Sequence, residues 1–532
     1  MKPKSKVFWS VLLPGLMLAA VVLGPAPVLA QMTSTGIDCS QIAALHLLKQ
    51  DNMRAGLALM ECGVVARPVA EAPGKGSGDA DSIEEPAPPN ILVSNRTCTS
   101  GSTCTKSESF VFHSTKANDH TMVVNYNDHN FNQYSGTSYS TDDGATFTEI
   151  SPPPFASGHG ANFGDPIVVY NQKLGKWFGG DLVGSCGSQG IGLWTSNDGI
   201  SWTAGACAHS GGSDDRESMW VDNNPASAYY GRMYISWNDF LVNGGAIFVT
   251  HSDDGTTWTK AQLSSGFIRD VQITGTPPGI SPIASATSTV FVAGMDEGGG
   301  GLATRQNIMY RSQDGGVTWT SVTMGPRFNA VGDSTCPSNS YFARINPIWR
   351  HMGWGQPAAG PRGVIHYAYA GKGAHENGDI FYVRSTDNGK TWSAPIVLND
   401  PGTGFQTHWM PDVSVNYDAN AATQKGQVTV AWYDRRQASS ACNNVGDPGC
   451  NYQRYGVQSP DNGATWGANF PISDVIIPEP AQNDAGVQSC YAGDYDYSTA
   501  LNGNAFVTWT DGRVAISGTQ VQNVEFSSVP EP

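Results

Sequence analysis

Between residues 105 and 530 the chain alternates between short runs of apolar and small residues and clusters rich in Gly, Asp, Asn and Ser. The runs VVNYND (123–128), WFGGD (177–181), YISWND (234–239), VFVAGMD (290–296), VIHYAYA (364–370), VTVAWYD (428–434) and FVTWTD (506–511) predict short strands packed on both faces. After six of them comes an octapeptide of the form S-x-D-x-G-x-T-W: STDDGATF at 140–147, TSNDGISW at 195–202, HSDDGTTW at 251–258, SQDGGVTW at 312–319, STDNGKTW at 385–392 and SPDNGATW at 459–466. Within it the Asp side chain can accept backbone N–H bonds, Gly takes the φ > 0 position, and the final aromatic packs back between sheets. Acids such as Asp314 and Asp387 are therefore read as turn formers.

A unit repeated at this spacing specifies the architecture. Each unit reads as an inner strand, a second strand, a third strand running into the octapeptide, and a fourth after it, which predicts an all-β propeller of four-stranded antiparallel blades. The last unit stops one strand short, and NILVSN at 90–95 is free to complete it. That pattern favours seven blades, with six the alternative if the final unit folds elsewhere; closure removes an exposed sheet edge.

The region before the repeats divides into three. Residues 1–30 carry Lys2, Lys4 and Lys6, an apolar run and a small-residue cleavage pattern at Val28-Leu29-Ala30, the features of an export signal. Residues 31–65 have helical spacing through Ile42, Leu45 and Leu48 and again through Met53, Leu57 and Met60. One straight helix would hold Cys39 and Cys62 about 35 Å apart, whereas a disulfide needs Cα atoms within about 7 Å. If the two pair, the chain reverses near Asp51-Asn52. Residues 66–89 combine Pro, Gly and acids and read as a flexible linker, leaving 90–532 as the propeller.

A net charge of −16 with no basic stripe excludes nucleic acid as a partner. No stretch of the mature chain approaches the ~20 apolar residues of a membrane span. Ten cysteines, all after the signal, suggest disulfides in a secreted or periplasmic protein, with Cys98/Cys104, Cys186/Cys207 and Cys442/Cys450 close enough in sequence to staple loops. No CxxC or HExxH spacing supports zinc. No cofactor is required; a structural calcium could use acidic loops such as MDEGGGG at 295–301.

In an antiparallel meander the octapeptide turns lie on one face, while the starts of the inner strands lie on the other, around the central channel. The second face collects acids at second-strand ends (Asp128, Asp181, Asp239, Asp296, Asp434, Asp511) and in loops entering the inner strands (Glu108, Asp165, Glu217, Asp412, Asp494). So many carboxyl groups must pair with arginine, bind a cation, or hold protons with raised pKa. Asp434 beside Arg435 and Arg436, and Asp511 near Arg513, read as links between blades. Asp165, Glu217 and Asp494 are candidate catalytic acids, with Tyr495 a candidate nucleophile or base. Arg216, Arg350 and Arg435 are candidate anion grips, and His351 and Trp354 further candidate contacts to substrate. Trp220, Trp349 and Trp409 read either as sugar platforms or as core, and His351 and His408 either as bases or as hydrogen-bonded loop residues.

The six octapeptides, with strands such as GRMYISWNDF and VTVAWYDRR, resemble the sialidase (neuraminidase) superfamily of bacterial BNR/Asp-box proteins over roughly residues 107–529. The resemblance implies a propeller and a glycan ligand. True sialidases of that superfamily cleave terminal sialic acid with a Tyr/Glu nucleophile pair, an Asp acid/base and three arginines on the carboxylate. No Arg-Ile-Pro element precedes the first octapeptide here; the nearest string, Arg344-Ile345-Asn346-Pro347, follows the fourth. Seven blades would also depart from the six of typical sialidases. The resemblance therefore carries over the fold and a ligand class, with no catalytic residue matched by motif. The function expected is that of a secreted sialidase-like glycoside hydrolase acting on an acidic or terminal sugar; the alternatives are a non-catalytic glycan- or protein-binding propeller and a polysaccharide lyase using His351 with a tyrosine.

Overall fold

Seven four-stranded antiparallel sheets, each a meander, follow one another along the chain in a computed structural model. It describes residues 32–68, 87–94, 105–130, 133–276, 288–345, 349–351, 353–373, 377–400, 406–417, 425–438, 441–444, 447–482, 484–516 and 519–532. The first strands of blades 1 to 7 are Lys106–His113, Ile167–Asn171, Asp214–Val221, Ile273–Gly275, Gln356–Ala359, His408–Tyr417 and Thr499–Leu501. Each packs against the first strands of the blades on either side, and the seventh against the first, so the ring closes around a channel.

Blade 7 closes as the sequence predicts. Ile91–Leu92 is its outermost strand, pairing Ile91 with Phe526 and Leu92 with Glu525. Second strands are buried on both faces, as Met233–Asp239 illustrates, because each blade is sandwiched between two others.

The octapeptides form the hairpin turns between third and fourth strands. In the first of them Ser140 Oγ donates to Asp142 Oδ1 (2.7 Å), which accepts from the Thr146 N–H (2.9 Å), while the Thr146 hydroxyl donates to Oδ2 (2.7 Å). Gly144 has φ +86°, and a Cβ there would lie 2.5 Å from Phe526, so the turn needs glycine both for its conformation and to seat against the preceding blade.

The N-terminal segment is helical only in part. Short 3₁₀ turns at Cys39–Gln41 and Leu47–Lys49 replace the expected helix over 42–48, and His46 between them has φ 52°. A helix then runs over Met53–Glu61, capped by Asn52, whose side chain accepts from the Ala55 N–H at 2.9 Å. The chain reverses before this cap, and Cys39 and Cys62 form a disulfide with Cα atoms 5.5 Å apart. Cys186–Cys207 and Cys442–Cys450 are also bonded, while Cys336 and Cys490 are buried free thiols. The signal, the linker core at 69–86 and the Cys98/Cys104 pair lie outside the described residues. No helix of the described residues is long and apolar enough to cross a membrane.

Candidate functional site

The first strands all enter the channel from one face, and there their leading residues leave regular pairing. In blades 1, 3 and 6 the ladder slips over Ser107–Phe110, Asp215–Ser218 and Trp409–Asp412. Bulges of this kind re-aim a side chain. Glu108, Arg216 and Met410 sit within them at φ 52, 62 and 48°, and Asp165 and Asp270, just ahead of the first strands of blades 2 and 4, have φ 63 and 61°. Left-handed backbone at non-glycine residues costs on the order of 1–3 kcal/mol each and collects at functional sites.

The side chains so placed form a buried ionic ring. The Arg216 N–H donates to Asp165 Oδ2 (2.9 Å), and its guanidinium lies 3.6 Å from Asp270. Its Cζ is 3.4 Å from the ring centroid of Tyr495 and 4.7 Å from that of Trp354. Arg350 donates through Nε (3.1 Å) and Nη2 (2.6 Å) to Asp494. Arg269 donates to Asp215 (2.7 Å) and to Asp51 of the N-terminal segment (2.5 Å). Glu108 accepts from Asn127 Nδ2 (2.6 Å) and from the Asp494 N–H (2.8 Å).

Removal from water dominates the titration of these groups. Burial, with the Asp51 charge beside it, pushes Asp165 up to about 7. Burial also takes Asp270 to about 7 against the pull of Arg216. Asp494 is raised by burial, which the Arg350 guanidinium opposes. For Asp51 burial favours the neutral form, but Arg269, with Asp215, Arg216 and Arg350, outweighs it and holds the carboxyl below its ordinary value. Tyr495 is driven well above the ordinary phenol range by burial and by Asp165 and Glu108, and its Oη has no hydrogen-bond partner among the described residues.

Of the residues predicted from sequence, Asp165, Arg216, Arg350, Trp354, Asp494 and Tyr495 come together in this ring. Glu217 follows Arg216 in the bulge but lies among Asp165, Asp181 and Asp214, which with burial hold its carboxyl well above the ordinary range. The strongest charges on Asp494 are instead Arg350, Asp51 and Arg216. Both ring nitrogens of His351 face backbone N–H groups, of Gly353 (2.6 Å) and Met410 (2.5 Å), and burial lowers its pKa to about 3. Arg435 donates to the Gly449 carbonyl and the Thr407 hydroxyl, each at 3.2 Å, tying two loops together. Trp349 and Trp409 are fully buried among Tyr433 and Tyr452, and His408 lies 3.4 Å from Asp434.

Sequence reasoning missed Arg269, Asp270, Asp215 and Asp51. The string FIRDVQIT at 267–274 repeats the charged entry of DDRESMW and was the available signal. Three of the six acids at second-strand ends pair with arginine: Asp434 with Arg436, Asp511 with Arg513 and Asp296 with Arg327. In the 295–301 loop Glu297 accepts from Trp354 Nε1 (2.9 Å) and from the Tyr341 hydroxyl, so it buttresses the ring. At the opposite end the channel widens into a cavity of about 200 Å³, lined by Phe112, Trp220, Ile273, Val415 and Leu501 among others.

No family model matches the chain, and no curated protein matches it. Among solved structures it is similar to an ulvan lyase (10% identity, 81% of this chain and 96% of that one, TM-score 0.45). It is also similar to the Hadza microbial sialidase Hz136 (13%, 81% and 66%, TM-score 0.38) and to the Aleuria aurantia lectin with bound α-methyl-L-fucoside (12%, 71% and 99%, TM-score 0.36). At these identities the likeness says nothing of this chain's chemistry.

Proposed function

We propose that the protein is an exported, glycan-active propeller, a sialidase-like glycoside hydrolase that takes an acidic sugar at the charged mouth of its channel. The observation that carries this reading is the convergence of Arg216, Arg269 and Arg350 with the phenol of Tyr495 and with Asp165, a carboxyl whose pKa is moved to about 7. Guanidinium groups bind a sugar carboxylate through paired hydrogen bonds. Asp165, about half protonated at neutral pH, gives its proton to the departing glycosidic oxygen. Tyr495 bonds to the anomeric carbon as the bond to that oxygen breaks, and its own proton passes to the carboxylate of Asp494, which Arg350 pairs. Water, deprotonated by Asp165, then displaces the tyrosine, which recovers its proton. Three disulfides among the described residues support export to an oxidising compartment.

One observation favours a second reading, a recognition propeller without turnover: Asp165, Arg216, Asp494 and Tyr495 are each no more than 3% exposed. Incubating the mature protein, intact and with the linker at 66–89 cut, with sialylated and uronic-acid glycans and weighing the products separates these readings. Hydrolysis adds water, elimination leaves a double bond without it, and saturable binding with unchanged glycans marks recognition. Under the hydrolase reading Asp165→Asn abolishes product; full activity in that variant would overturn the assignment.

A further inference from the structure

The charged mouth is filled by the chain's own N-terminal segment, and the residue that enters the ring is an acid. Asp51 is 3% exposed. Its Oδ1 accepts from Arg269 Nη2 (2.5 Å), its carbonyl accepts from Arg350 Nη2 (2.5 Å), and its N–H donates to Asp215 Oδ2 (3.2 Å). Asn52 Nδ2 adds a bond to Asp215 Oδ1 (2.7 Å). Around this point Gln50 donates to Ser213 (2.8 Å), Arg54 to Gln189 (2.8 Å) and Asn339 to the Leu48 carbonyl (3.0 Å). The segment adds no strand to any blade; besides these bonds, Leu47, Met53, Leu57 and Leu59 pack it into one buried apolar cluster with propeller residues such as Phe163 and Tyr491.

Two features mark this as occupancy of a binding site. Asp51 uses only one carboxylate oxygen; Oδ2 has no hydrogen-bond partner among the described residues, although guanidinium groups favour two-point contact. The Cys39–Cys62 disulfide closes the segment on itself, independently of the propeller.

We propose that residues 32–66 are a built-in ligand of the propeller: Asp51 takes the place of the carboxylate of an acidic sugar, and segment and sugar exclude one another. This rests on the reading of the mouth as an anion site given above.

The test uses the mature chain with a specific protease sequence substituted for residues 76–81, before and after cutting, and N-acetylneuraminic acid and glucuronic acid as probes, with galactose and glucose as neutral controls. Calorimetry is expected to show binding of the acids to the cut protein at least about tenfold tighter than to the uncut one. The disulfide-closed 32–66 peptide should displace them, and the same peptide carrying Asp51→Ala should do so at least about tenfold more weakly. In the uncut chain Asp51→Asn should admit the acids without cutting. The inference fails if neither the cut protein nor Asp51→Asn binds the acids more tightly than the uncut wild type, or if the uncut wild type binds or cleaves acidic glycans as well as the cut protein. Cleavage by the uncut chain would leave the glycan function standing; acid binding by the cut chain without turnover would remove the hydrolase reading alone.

Discussion

The Arg216 guanidinium rests on the face of the Tyr495 ring, with Cζ 3.4 Å from the centroid. Arg216 comes from the first strand of blade 3 and Tyr495 from the stretch leading into blade 7, so the contact joins separate blades across the channel. A desolvated contact of this kind is worth about 2 kcal/mol. Tyr495→Phe keeps the aromatic face and loses only the unpartnered hydroxyl, so its melting temperature is expected to stay near that of the wild type while hydrolysis of an acidic glycoside is lost. Tyr495→Leu removes the face as well and should lower stability by about 2 kcal/mol. Hydrolysis surviving in Tyr495→Phe would remove the nucleophile role.

Asp165 makes the fold sensitive to pH in a direction opposite to that of a paired carboxylate. Its pKa is about 7 in the folded protein and near 3.8 in the unfolded chain, so between these values the folded state binds more protons. Stability contributed at this position therefore falls as pH rises from about 4, and the loss is complete above about 7. A shift of roughly three units corresponds to at most about 4 kcal/mol. Asp165→Asn cannot ionise, so in urea titrations it is expected to exceed the wild type in stability at pH 8, with the gap closing towards pH 4. A gap independent of pH would mean that Asp165 is ionised throughout.

The fold was legible because its signal is local. The Ser140–Asp142–Thr146 bonds lie within one turn, and the same turn recurs, so the sequence displays the repeat directly. The ring was legible where a charge stands in a long first strand, as with Arg216 in Asp214–Val221. It was not legible at Arg269 and Asp270, because the first strand of blade 4 spans only Ile273–Gly275 and shows too little alternation. Glu217 and Arg216 are neighbours in sequence, but inside the bulge they face different surroundings, Glu217 among Asp165, Asp181 and Asp214. Asp51 carries no local signal, since its partner Arg269 is 218 residues away.

Closure by the N-terminal strand depends on Val93, which is fully buried and donates its N–H to the Val524 carbonyl at 2.9 Å. Val93→Asp places an unpaired carboxylate in an apolar cluster with Val124 and Phe526, a cost of several kcal/mol. The expected result is a lower melting temperature together with self-association through the uncovered edge of Asn523–Pro530, detected by size-exclusion chromatography with light scattering. A monomer of unchanged stability would mean that this strand is dispensable.

Blades 6 and 7 share a Trp–Asp–Arg clamp whose acid predicts structure and not chemistry. Asp434 accepts from Trp432 Nε1 (2.9 Å) and Arg436 (2.7 Å), and Arg436 reaches Asp400 of blade 5 (2.5 Å). Asp511 repeats the arrangement with Trp509 (2.9 Å), Arg513 (2.9 Å) and, through Arg513, Asp474 of blade 6 (2.7 Å). Removing one member of a buried pair strands the other, at a cost of about 3–5 kcal/mol, whereas replacing both with apolar residues recovers much of it. Asp434→Ala is therefore expected to be strongly destabilised in urea titrations, and Asp434→Leu combined with Arg436→Met less so, a positive coupling that a double-mutant cycle reads directly. Both proteins, below their melting temperatures, should handle acidic glycans as the wild type does. A stable Asp434→Ala that had lost that ability would place the acid in the site and remove it from the clamp.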